Sequence, residues 1–556
     1  MIFLVMGIII FFLILVFLQQ KQADRQNEQN LRHWFGRTRD CTDLSYEKLE
    51  HIAKWYLLEK PSLSEDEMVD DITWDDLDMD QIFALANHTS SFAGEQYLYK
   101  LLHQIPADVS KNHLSEEKIL YFDNNDAVRI RVQKSLLNLS KREDINYYVP
   151  ELLETVQDQQ IPLGKLSFLL FGSLIILAAA SLLTGNTVVI ALLGVNFVVN
   201  LALYALCKSR YEVYLQSLFS FARTVRAADD IYQAIDFKEE ATEKDLASLK
   251  KLAKMTDIFQ RKQQSVLAGD IMAIFYDYLI GALMLDFIRY NRILRELTGK
   301  QDAFRRLLSY VGETDTCIAV ASFRRSLGVC CVPDRIEGSL ELTDLRHPLI
   351  QDAVPNSFTF HKNTIITGSN AAGKSTFIKS VAVNLILGQT LHTCTATHAI
   401  LPGCAVLTSM AVRDDVLSGE SYYMREIKYL KRMVERSTHG RLLFCGIDEI
   451  LKGTNRKERV AASHAILQYL KDKNCMLMVA THDLELAARL NGIYENYYFC
   501  ETIEDKDVSF DYILRKGICQ TSNAILLLQS LGFPEDITRM ASKETDASLS
   551  QEAELY

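Results

Sequence analysis

The sequence predicts a multidomain protein in which an α-helical region with transmembrane helices is followed by an α/β domain with a phosphate-binding loop. Three observations predict this fold class. Apolar segments long enough to cross a bilayer lie in the N-terminal half. Charged and apolar residues alternate at helical spacing over 211–306, with few helix breakers. A glycine-rich loop at 368–375 separates a short apolar strand from a helix.

Length and composition indicate a folded protein with about two to four domains. Of its 556 residues, 48% are hydrophobic and 24% are charged, which is ordinary for globular chains. The net charge of -11 gives no general electrostatic reason for tight nucleic-acid binding, although a local basic patch stays open. Eleven cysteines without a C-x-x-C pair indicate reduced thiols of a cytoplasmic protein. The spacing of His392, Cys394, His398 and Cys404 matches no common zinc site and favours ordinary packing.

Three segments are candidates to cross a membrane. Residues 1–18 carry no charged side chain and lack the basic start and cleavage site of a signal peptide, so we interpret them as a retained anchor. Two further segments, 166–184 and 187–207, would each be about 30 Å long as helices. Because only Gly185 and Asn186 separate them, they predict a helical hairpin. A buried helix pair of a soluble domain is the alternative.

Basic side chains flank the predicted spans on one side only. They are Lys21, Arg25, Arg32, Arg37, Arg39, Lys165, Lys208 and Arg210. The N-terminus and the hairpin turn carry no basic side chain. Because basic flanks are retained in the cytoplasm, we expect a multi-pass protein of the cell membrane. Residues 19–165 and 208–556, which include the α/β domain, would then be cytoplasmic.

The regions around the spans have a helical pattern. Residues 88–106 begin with polar residues that suit a helix cap and continue with apolar residues at helical spacing. The acidic run from Glu65 to Asp80 lacks the central glycine of a calcium loop. We interpret this run as a solvated linker rich in capping residues.

The phosphate-binding loop lies between a β-branched strand at 363–367 and a helix at 377–387. Its glycines let backbone N–H groups turn toward phosphates, and the helix N-terminus adds favourable potential for anions. Lys374 would reach the β- and γ-phosphates, and Ser375 would bind Mg²⁺. The predicted nucleotide-binding residues are Gly368, Ser369, Asn370, Ala371, Ala372, Gly373, Lys374, Ser375 and Thr376.

Two further apolar strands end in polar residues that suit phosphate chemistry. The strand at 441–447 is followed by Asp448, which would join Ser375 in holding Mg²⁺, and by Glu449, which would orient the attacking water. The strand at 476–480 is followed by His482, which would sense the γ-phosphate. A solvated strand end and an ordinary loop histidine are the alternatives. The order of the three strand ends favours catalytic roles for Glu449 and His482 and predicts ATP and Mg²⁺ as ligands.

These motifs resemble the MutS family of DNA mismatch-repair ATPases in order and spacing. The matching stretches are LRHPLI (345–350), VPNSFTF (354–360), TGSNAAGKST (367–376), MAVRDDVLSGESYYMREI (410–427), DEILKGTN (448–455), ATHD (480–483) and KGICQTSNAILLLQSLGFPEDITRMA (516–541). Weaker resemblance extends to 76–102 and 310–327. The resemblance implies an ABC-type P-loop ATPase domain and a dimer whose heads close around ATP and move long levers. It also implies that Ser418, Gly419 and Ser421 complete the site of the neighbouring protomer.

The sequence departs from the family at several positions. Ala371 and Ala372 replace methionine and glycine, Tyr422 and Tyr423 replace threonine and phenylalanine, and Asp483 replaces an aromatic residue. No mismatch-reading domain with its phenylalanine wedge precedes the core. The predicted hairpin stands about where the family inserts its DNA clamp. We therefore expect a homodimer at the membrane whose DNA binding, if retained, is weak and not specific for mismatches.

The predicted organisation combines these elements. It consists of an anchor (1–19), a cytoplasmic first half of core and lever (20–165), the transmembrane hairpin (166–207), the second half of core and lever (208–335), the ATPase domain (336–545) and a tail (546–556). LSGE at 417–420 is also typical of ABC transporters. An ATPase coupled to a membrane process without DNA is therefore the alternative, and a structural scaffold with an inactive ATPase is a third interpretation.

Overall fold

Helices form most of the first part of the chain, and a largely parallel sheet forms the centre of the last part. The computed structural model describes residues 18–19, 21–38, 44–107, 114–154, 164–256, 281–369, 372–410, 422–438, 440–504, 507–518, 528 and 532–542. The predicted anchor at 1–18 lies almost entirely outside these residues. The chain divides into two compact units. The first comprises Met1–Ser62, Ala86–Lys100 and Leu114–Ser326, and the second comprises Leu63–Leu85, Leu101–His113 and Leu327–Tyr556.

The described α-helices are numbered in chain order. They are α1 (Tyr46–Glu59), α2 (Asp71–Asp76), α3 (Met79–Ala86), α4 (Phe92–Leu102), α5 (Glu116–Asn124), α6 (Asp126–Leu137), α7 (Val149–Glu154), α8 (Gly164–Thr184), α9 (Thr187–Ala234), α10 (Glu240–Met255), α11 (Leu285–Leu297), α12 (Gln301–Ser326), α13 (Lys374–Thr390), α14 (Tyr422–Arg436), α15 (Arg456–Leu470) and α16 (Leu484–Arg489). Residues 18–19 and 21–34 are also helical, and residue 20 between them is not among the described residues. Short 3₁₀ turns occur at Lys60–Ser62, Glu65–Glu67 and Asp144–Tyr148.

The described strands belong to the second unit. They are β1 (Asp334–Arg335), β2 (Glu341–Leu345), β3 (Asn356–Thr359), β4 (Thr364–Thr367), β5 (His398–Leu401), β6 (Ala405–Ser409), β7 (Leu443–Asp448), β8 (Cys475–Ala480), β9 (Glu495–Tyr498), β10 (Glu501–Glu504), β11 (Asp507–Phe510) and β12 (Arg515–Lys516).

A six-stranded sheet in the order β12-β9-β4-β8-β7-β6 forms the core of the second unit. Strands β9, β4, β8, β7 and β6 run parallel, and β12 pairs antiparallel with β9. Every residue of β4, β6 and β8 is buried, as expected for a parallel sheet that is covered on both faces. A second sheet has the order β1-β5-β2-β3, and β10 and β11 form a hairpin. The α/β prediction for this part of the chain is confirmed.

The predicted helical hairpin is present. Helix α8 ends at Thr184 and α9 begins at Thr187, and the Asn186 side chain caps α9 by accepting a hydrogen bond from the Val188 N–H at 2.9 Å. The Asn196 side-chain amide donates to Ser173 Oγ at 2.9 Å and so links the two helices. Such contacts between small polar residues are typical of helix pairs in apolar surroundings.

The apolar parts of α8 and α9 are mostly uncovered by the rest of the chain. Leu166–Thr184 and Thr187–Cys207 are long and apolar enough to cross a membrane, and only 6% and 11% of their most apolar stretches are buried. A core helix pair of a soluble domain would be mostly covered, so the low burial disfavours that alternative within this chain.

Helix α9 does not stop at the end of its apolar part. It continues without interruption for 48 residues to Ala234, which corresponds to about 72 Å. Helices α10 and α11 follow it, so the predicted long helices over 211–306 are confirmed where the chain is described.

A buried carboxylate fixes the start of α4 in the first unit. The backbone N–H of Ser90 donates to Asp315 Oδ1 at 2.9 Å, and the N–H and hydroxyl of Ser91 donate to Oδ2 at 2.8 and 2.6 Å. Burial raises the pKa of Asp315, while these donors act in the opposite direction. Gly94 allows the close approach, because a Cβ at this position would lie 2.2 Å from Asp315 Oδ2. The predicted capped helix over 88–106 is thus anchored on α12.

The acidic run from Glu65 to Asp80 is not a solvated linker, and that interpretation is wrong. Asp70 does cap α2, as expected for a run rich in capping residues, but its Oδ2 also accepts from Arg432 at 2.7 Å. Asp78 forms an ion pair with Lys379 of α13 at 2.7 Å. Asp76 is 2% exposed. These partners are more than 300 residues away along the chain, so the local sequence pattern could not indicate them.

Asp76 binds two groups at the end of β6. Its Oδ2 accepts from the Thr408 hydroxyl at 2.7 Å and from the Met410 N–H at 2.9 Å. Asp76 thereby holds Met410, the last described residue before the stretch of sequence that contains Ser418, Gly419 and Ser421.

We expect Asp76→Ala to destabilise the second unit, because two buried donors lose their acceptor at a cost of about 1–3 kcal/mol each. The midpoint of thermal unfolding, measured by calorimetry on the full chain, should fall by about 5 °C or more. Asp75→Ala, which removes an exposed carboxylate from the same helix, is the control and should shift the midpoint by less than about 2 °C. Equal midpoints for the two variants would contradict this role of Asp76.

Candidate functional site

The phosphate-binding loop follows the buried strand β4 and leads into α13 in the predicted context. Its first glycine, Gly368, has φ of 138°, and a Cβ at this position would lie 2.5 Å from the Phe499 carbonyl oxygen. Glycine is therefore required by both backbone conformation and space. Gly373 has φ of 104° and stands at the N-cap of α13. Of the predicted loop residues, Asn370 and Ala371 lie outside the described residues.

Lys374 crosses the mouth of this loop. Its ammonium group donates to the carbonyl oxygens of Gly368 and Ser369, both at 2.7 Å. Burial lowers the pKa of Lys374, while the charges of Glu449 and Asp448 raise it. These contacts hold a cation at the N-terminus of α13, where phosphate oxygens would bind.

Ser375 and Asp448, the predicted magnesium ligands, are brought together. The Ser375 hydroxyl donates to Asp448 Oδ2 at 2.7 Å, although 73 residues separate them in the chain. A hydroxyl and a carboxylate oxygen are ligands that Mg²⁺ prefers, and Mg²⁺ commonly takes its remaining ligands from water and phosphate. The described residues include no cluster of three or more His, Cys, Asp or Glu side chains suited to a metal. The pair therefore fits a Mg²⁺ ion that is bound together with phosphate rather than held by protein alone.

The predicted catalytic pair, Glu449 and His482, is also in contact. Glu449 Oε1 lies 3.1 Å from His482 Nδ1, and Glu449 Oε2 lies 3.3 Å from Lys452 Nζ. Glu449 has φ of 61°, and its backbone N–H donates to the Ala480 carbonyl oxygen at 2.9 Å. The side chain is thus directed by an unusual backbone conformation that strand β8 stabilises.

The protonation of this pair follows from the same contacts. Burial alone would raise the pKa of Glu449, but the hydrogen bond from His482 and the charge of Lys452 outweigh it and lower the pKa to about 2. The hydrogen bond to Glu449 raises the pKa of His482 above its ordinary value, against the opposing effect of burial. Glu449 is therefore ionised at neutral pH and available to accept a hydrogen bond from water.

Glu426 is a site residue that the sequence analysis did not identify. It lies on α14, is 2% exposed, and accepts a hydrogen bond from the Lys452 N–H at 2.9 Å. Burial raises its pKa, while the N–H groups of residues 451–453 act in the opposite direction. Glu426 thereby attaches the loop after Glu449 to the helix that follows the 411–421 segment. Its spacing from that loop in sequence gives no sign of the contact.

Arg459 and Asp483 form a second unpredicted interaction beside the catalytic pair. Arg459 Nε donates to Asp483 Oδ2 at 2.8 Å, and its NH2 group donates to Asp483 Oδ1 at 3.0 Å. The departure at Asp483 is therefore matched by a cation from α15.

A cavity of about 490 Å³ opens beside the phosphate-binding loop. Its lining includes Lys374, Ser375 and Thr376 together with Asn356 and Tyr512. The Asn356 amide donates to the Tyr512 carbonyl oxygen at 2.9 Å, so the VPNSFTF motif supports the loop that carries this aromatic ring. The volume lies in the range of small-molecule sites and is sufficient for the nucleoside part of a nucleotide.

The predicted trans signature residues, Ser418, Gly419 and Ser421, lie outside the described residues, so their roles remain predictions. The described chain resumes at Tyr422, where α14 begins.

A phosphate-binding loop between a parallel strand and a helix, with a hydroxyl–carboxylate pair and a glutamate–histidine pair beside it, defines the second unit as a P-loop nucleotide-binding domain of the ATPase type. Comparison with known proteins gives the family. The model of MutS domain V matches residues 364–549. The C-terminal region of this chain therefore belongs to the MutS family, as its motifs indicated.

Curated relatives extend the similarity upstream of the matched domain. Proteins described as DNA mismatch repair protein MutS are 29% identical over 270 residues in Pseudothermotoga lettingae and 28% identical over 272 residues in Aquifex pyrophilus. The corresponding protein of Leptospira interrogans is 28% identical over 271 residues. These matches cover 46–47% of this chain and 31–33% of the relatives. The shared region thus spans about a third of each relative's length.

Proposed function

We propose that this chain is a membrane-anchored MutS-family ATPase that binds and hydrolyses ATP with Mg²⁺ at a dimeric head interface. One observation carries the proposal: Lys374, the Ser375–Asp448 pair and the Glu449–His482 pair, which come from separate strand ends, all meet at one edge of the sheet. Each has the chemistry that phosphoryl transfer to water requires.

The residues have distinct roles in the proposed reaction. Lys374 binds β- and γ-phosphate oxygens in place of the loop carbonyls, and Ser375 and Asp448 hold the metal. A bound Mg²⁺ offsets negative charge on the phosphate oxygens. Glu449, ionised at neutral pH, orients the attacking water, and His482 contacts the γ-phosphate while it keeps Glu449 in place.

The membrane and lever parts of the proposal rest on α8 and α9. Their apolar stretches are largely uncovered, and α9 extends as one helix from the hairpin turn to Ala234, well beyond its apolar part. Closure of two heads around ATP would favour one arrangement of the long helices through its differential affinity. The levers would carry that change to the hairpin.

DNA is retained as a partner because the relatives are described as DNA mismatch repair proteins. The acidic net charge favours weak binding, and contacts to phosphates alone would carry no mismatch specificity. An ABC-transporter-like ATPase that serves a membrane process without DNA is the second candidate, and the uncovered hairpin favours it.

ATP hydrolysis by the purified full chain, with and without duplex DNA, tests the proposal. Lys374→Ala should weaken ATP binding by at least about tenfold, because the phosphates lose their cation, and Lys362→Ala, an exposed lysine of the same unit, should not. Glu449→Gln should bind ATP within about threefold of wild type and hydrolyse it at least about 100-fold more slowly.

DNA provides the second comparison in the same assay. At physiological salt, the chain should bind matched and mismatched duplexes with affinities within about twofold of each other. The two duplexes should also change the rate of ATP hydrolysis to the same extent, within about twofold. Equal hydrolysis by wild type and Glu449→Gln would contradict the catalytic assignment. A preference of about tenfold or more for a mismatched duplex would contradict the expectation for DNA.

The proposed topology places the hairpin turn outside the cell. In a variant without native cysteines, a cysteine introduced by Asn186→Cys should react with a membrane-impermeant thiol reagent in intact cells, whereas one introduced by Lys300→Cys should react only after lysis. Mass-tag labelling measures both reactions. Labelling of position 300 in intact cells would refute the arrangement.

The proposed composite site predicts complementation between inactive chains. Lys374→Ala removes the phosphate contact, and Ser421→Arg removes the signature, so a heterodimer of the two should contain one intact site and regain up to about half of wild-type activity. Differently tagged chains, co-purified to isolate heterodimers, allow the measurement. A verified heterodimer without recovered activity would show that Ser421 does not act in trans.

A further inference from the structure

Asp483 pairs with Arg459 although its position at the start of α16 would favour a hydrogen bond to that helix. Asp483 occupies the N-cap position of α16, where aspartate usually accepts from backbone N–H groups of the first turn. Here its side chain makes no capping hydrogen bond, and both carboxylate oxygens accept from Arg459 instead. The pair is largely buried, with exposed side-chain fractions of 15% for Arg459 and 8% for Asp483.

This pair directly borders His482. Arg459 Nη2 lies 3.5 Å from His482 Nε2, whereas the other ring nitrogen, Nδ1, contacts Glu449. The His482 side chain is 45% exposed, so packing alone restricts the ring little. Its orientation depends on Glu449 at one nitrogen and on the Arg459–Asp483 pair at the other.

The charges around His482 come from three elements. Glu449 follows β7, Asp483 follows β8 and Arg459 comes from α15, while Lys452 neutralises the other oxygen of Glu449. Asp483 is covalently next to His482, so a fixed Asp483 side chain also fixes the backbone that carries the imidazole. A bidentate guanidinium–carboxylate pair fixes orientation as well as distance.

We propose that Arg459 and Asp483 are positioning residues that hold His482 against Glu449 and thereby set the rate of the hydrolytic step rather than the affinity for ATP. This inference rests on the proposed ATPase function. The pair takes the place of the aromatic residue that the family has after the histidine, and it replaces packing by a directional polar contact.

The chain offers a matched control on the same two helices. Arg456 of α15 approaches Glu485 of α16 at 3.8 Å, with side chains that are 62% and 39% exposed. Arg456→Gln removes a cation one turn from Arg459 and weakens the same helix–helix contact. A purely structural role for the Arg459 pair predicts effects of the same kind in both cases.

The kinetic test uses the full chain and separates kcat from KM for ATP. Asp483→Asn should lower kcat about tenfold and change KM by less than about twofold, because positioning acts in the transition state. Arg459→Lys should have an intermediate effect, since an ammonium cannot pair with both oxygens in the fixed geometry of a guanidinium. Arg459→Asp combined with Asp483→Arg should recover part of the lost kcat, and Arg456→Gln should keep kcat within about twofold of wild type.

A second measurement keeps the inference separate from the ATPase proposal. Histidine-labelled protein, with the His482 signal assigned by His482→Gln, reports ring protonation by NMR without any hydrolysis. Asp483→Asn removes a negative charge and leaves the Arg459 cation unneutralised, so the pKa of His482 should fall; Arg456→Gln should leave it unchanged. If the wild-type chain shows no ATP hydrolysis but Asp483→Asn lowers the pKa of His482, only the ATPase proposal is contradicted. Unchanged kcat and His482 titration in Asp483→Asn would overturn the positioning role.

Discussion

Hydrogen bonds between three parallel strands hold the candidate site together. In the register of β4, β8 and β7, Asp448 lies opposite Ala480, and the N–H of Glu449 donates to the Ala480 carbonyl oxygen. The Thr481 N–H in turn donates to Ile366, one residue before the end of β4. Because side chains on a strand alternate between faces, a shift of one residue would move Asp448 away from Ser375. The phosphate-binding loop, the predicted magnesium ligands and the predicted catalytic pair all depend on this register.

Around that register, polar contacts connect the site to more distant elements. Glu426 attaches the loop after Glu449 to α14, and Asp76 accepts a hydrogen bond from Thr408 near the end of β6. Asp78 reaches Lys379 on α13, which begins at the phosphate-binding loop. Removal of either partner of the buried contacts of Glu426 and Asp76 leaves a polar group without compensation, at a cost of about 1–3 kcal/mol. The second unit therefore combines a conventional hydrophobic sheet core with a polar frame built from remote segments.

The parts of the molecule that could be predicted from sequence are those encoded within about 20 consecutive residues. The strand–loop–helix around Lys374, the strand ends at Asp448 and His482, and the hairpin turn at Gly185 each have a local pattern of apolar residues and glycine. The interpretation of the acidic run as a solvated linker is wrong because solvated carboxylates and buried, paired carboxylates look the same in a sequence. Asp76 and Thr408 are 332 residues apart, and Arg459 and Asp483 are joined because α15 packs against α16, whose N-cap is Asp483. Tertiary partners, which no single-sequence periodicity contains, decide these cases.

The length of helix α9 determines how far a small tilt of this helix displaces its far end. A single helix of 48 residues has no joint at the point where its apolar part ends, so its two ends cannot reorient separately at low cost. Over a rod of about 72 Å, a tilt of about 4° displaces the far end by about 5 Å, close to the rise of about 5.4 Å of one helical turn. Angular changes too small to disturb side-chain packing at one end thus become translations at the other that are large enough to exchange one set of contacts for the next.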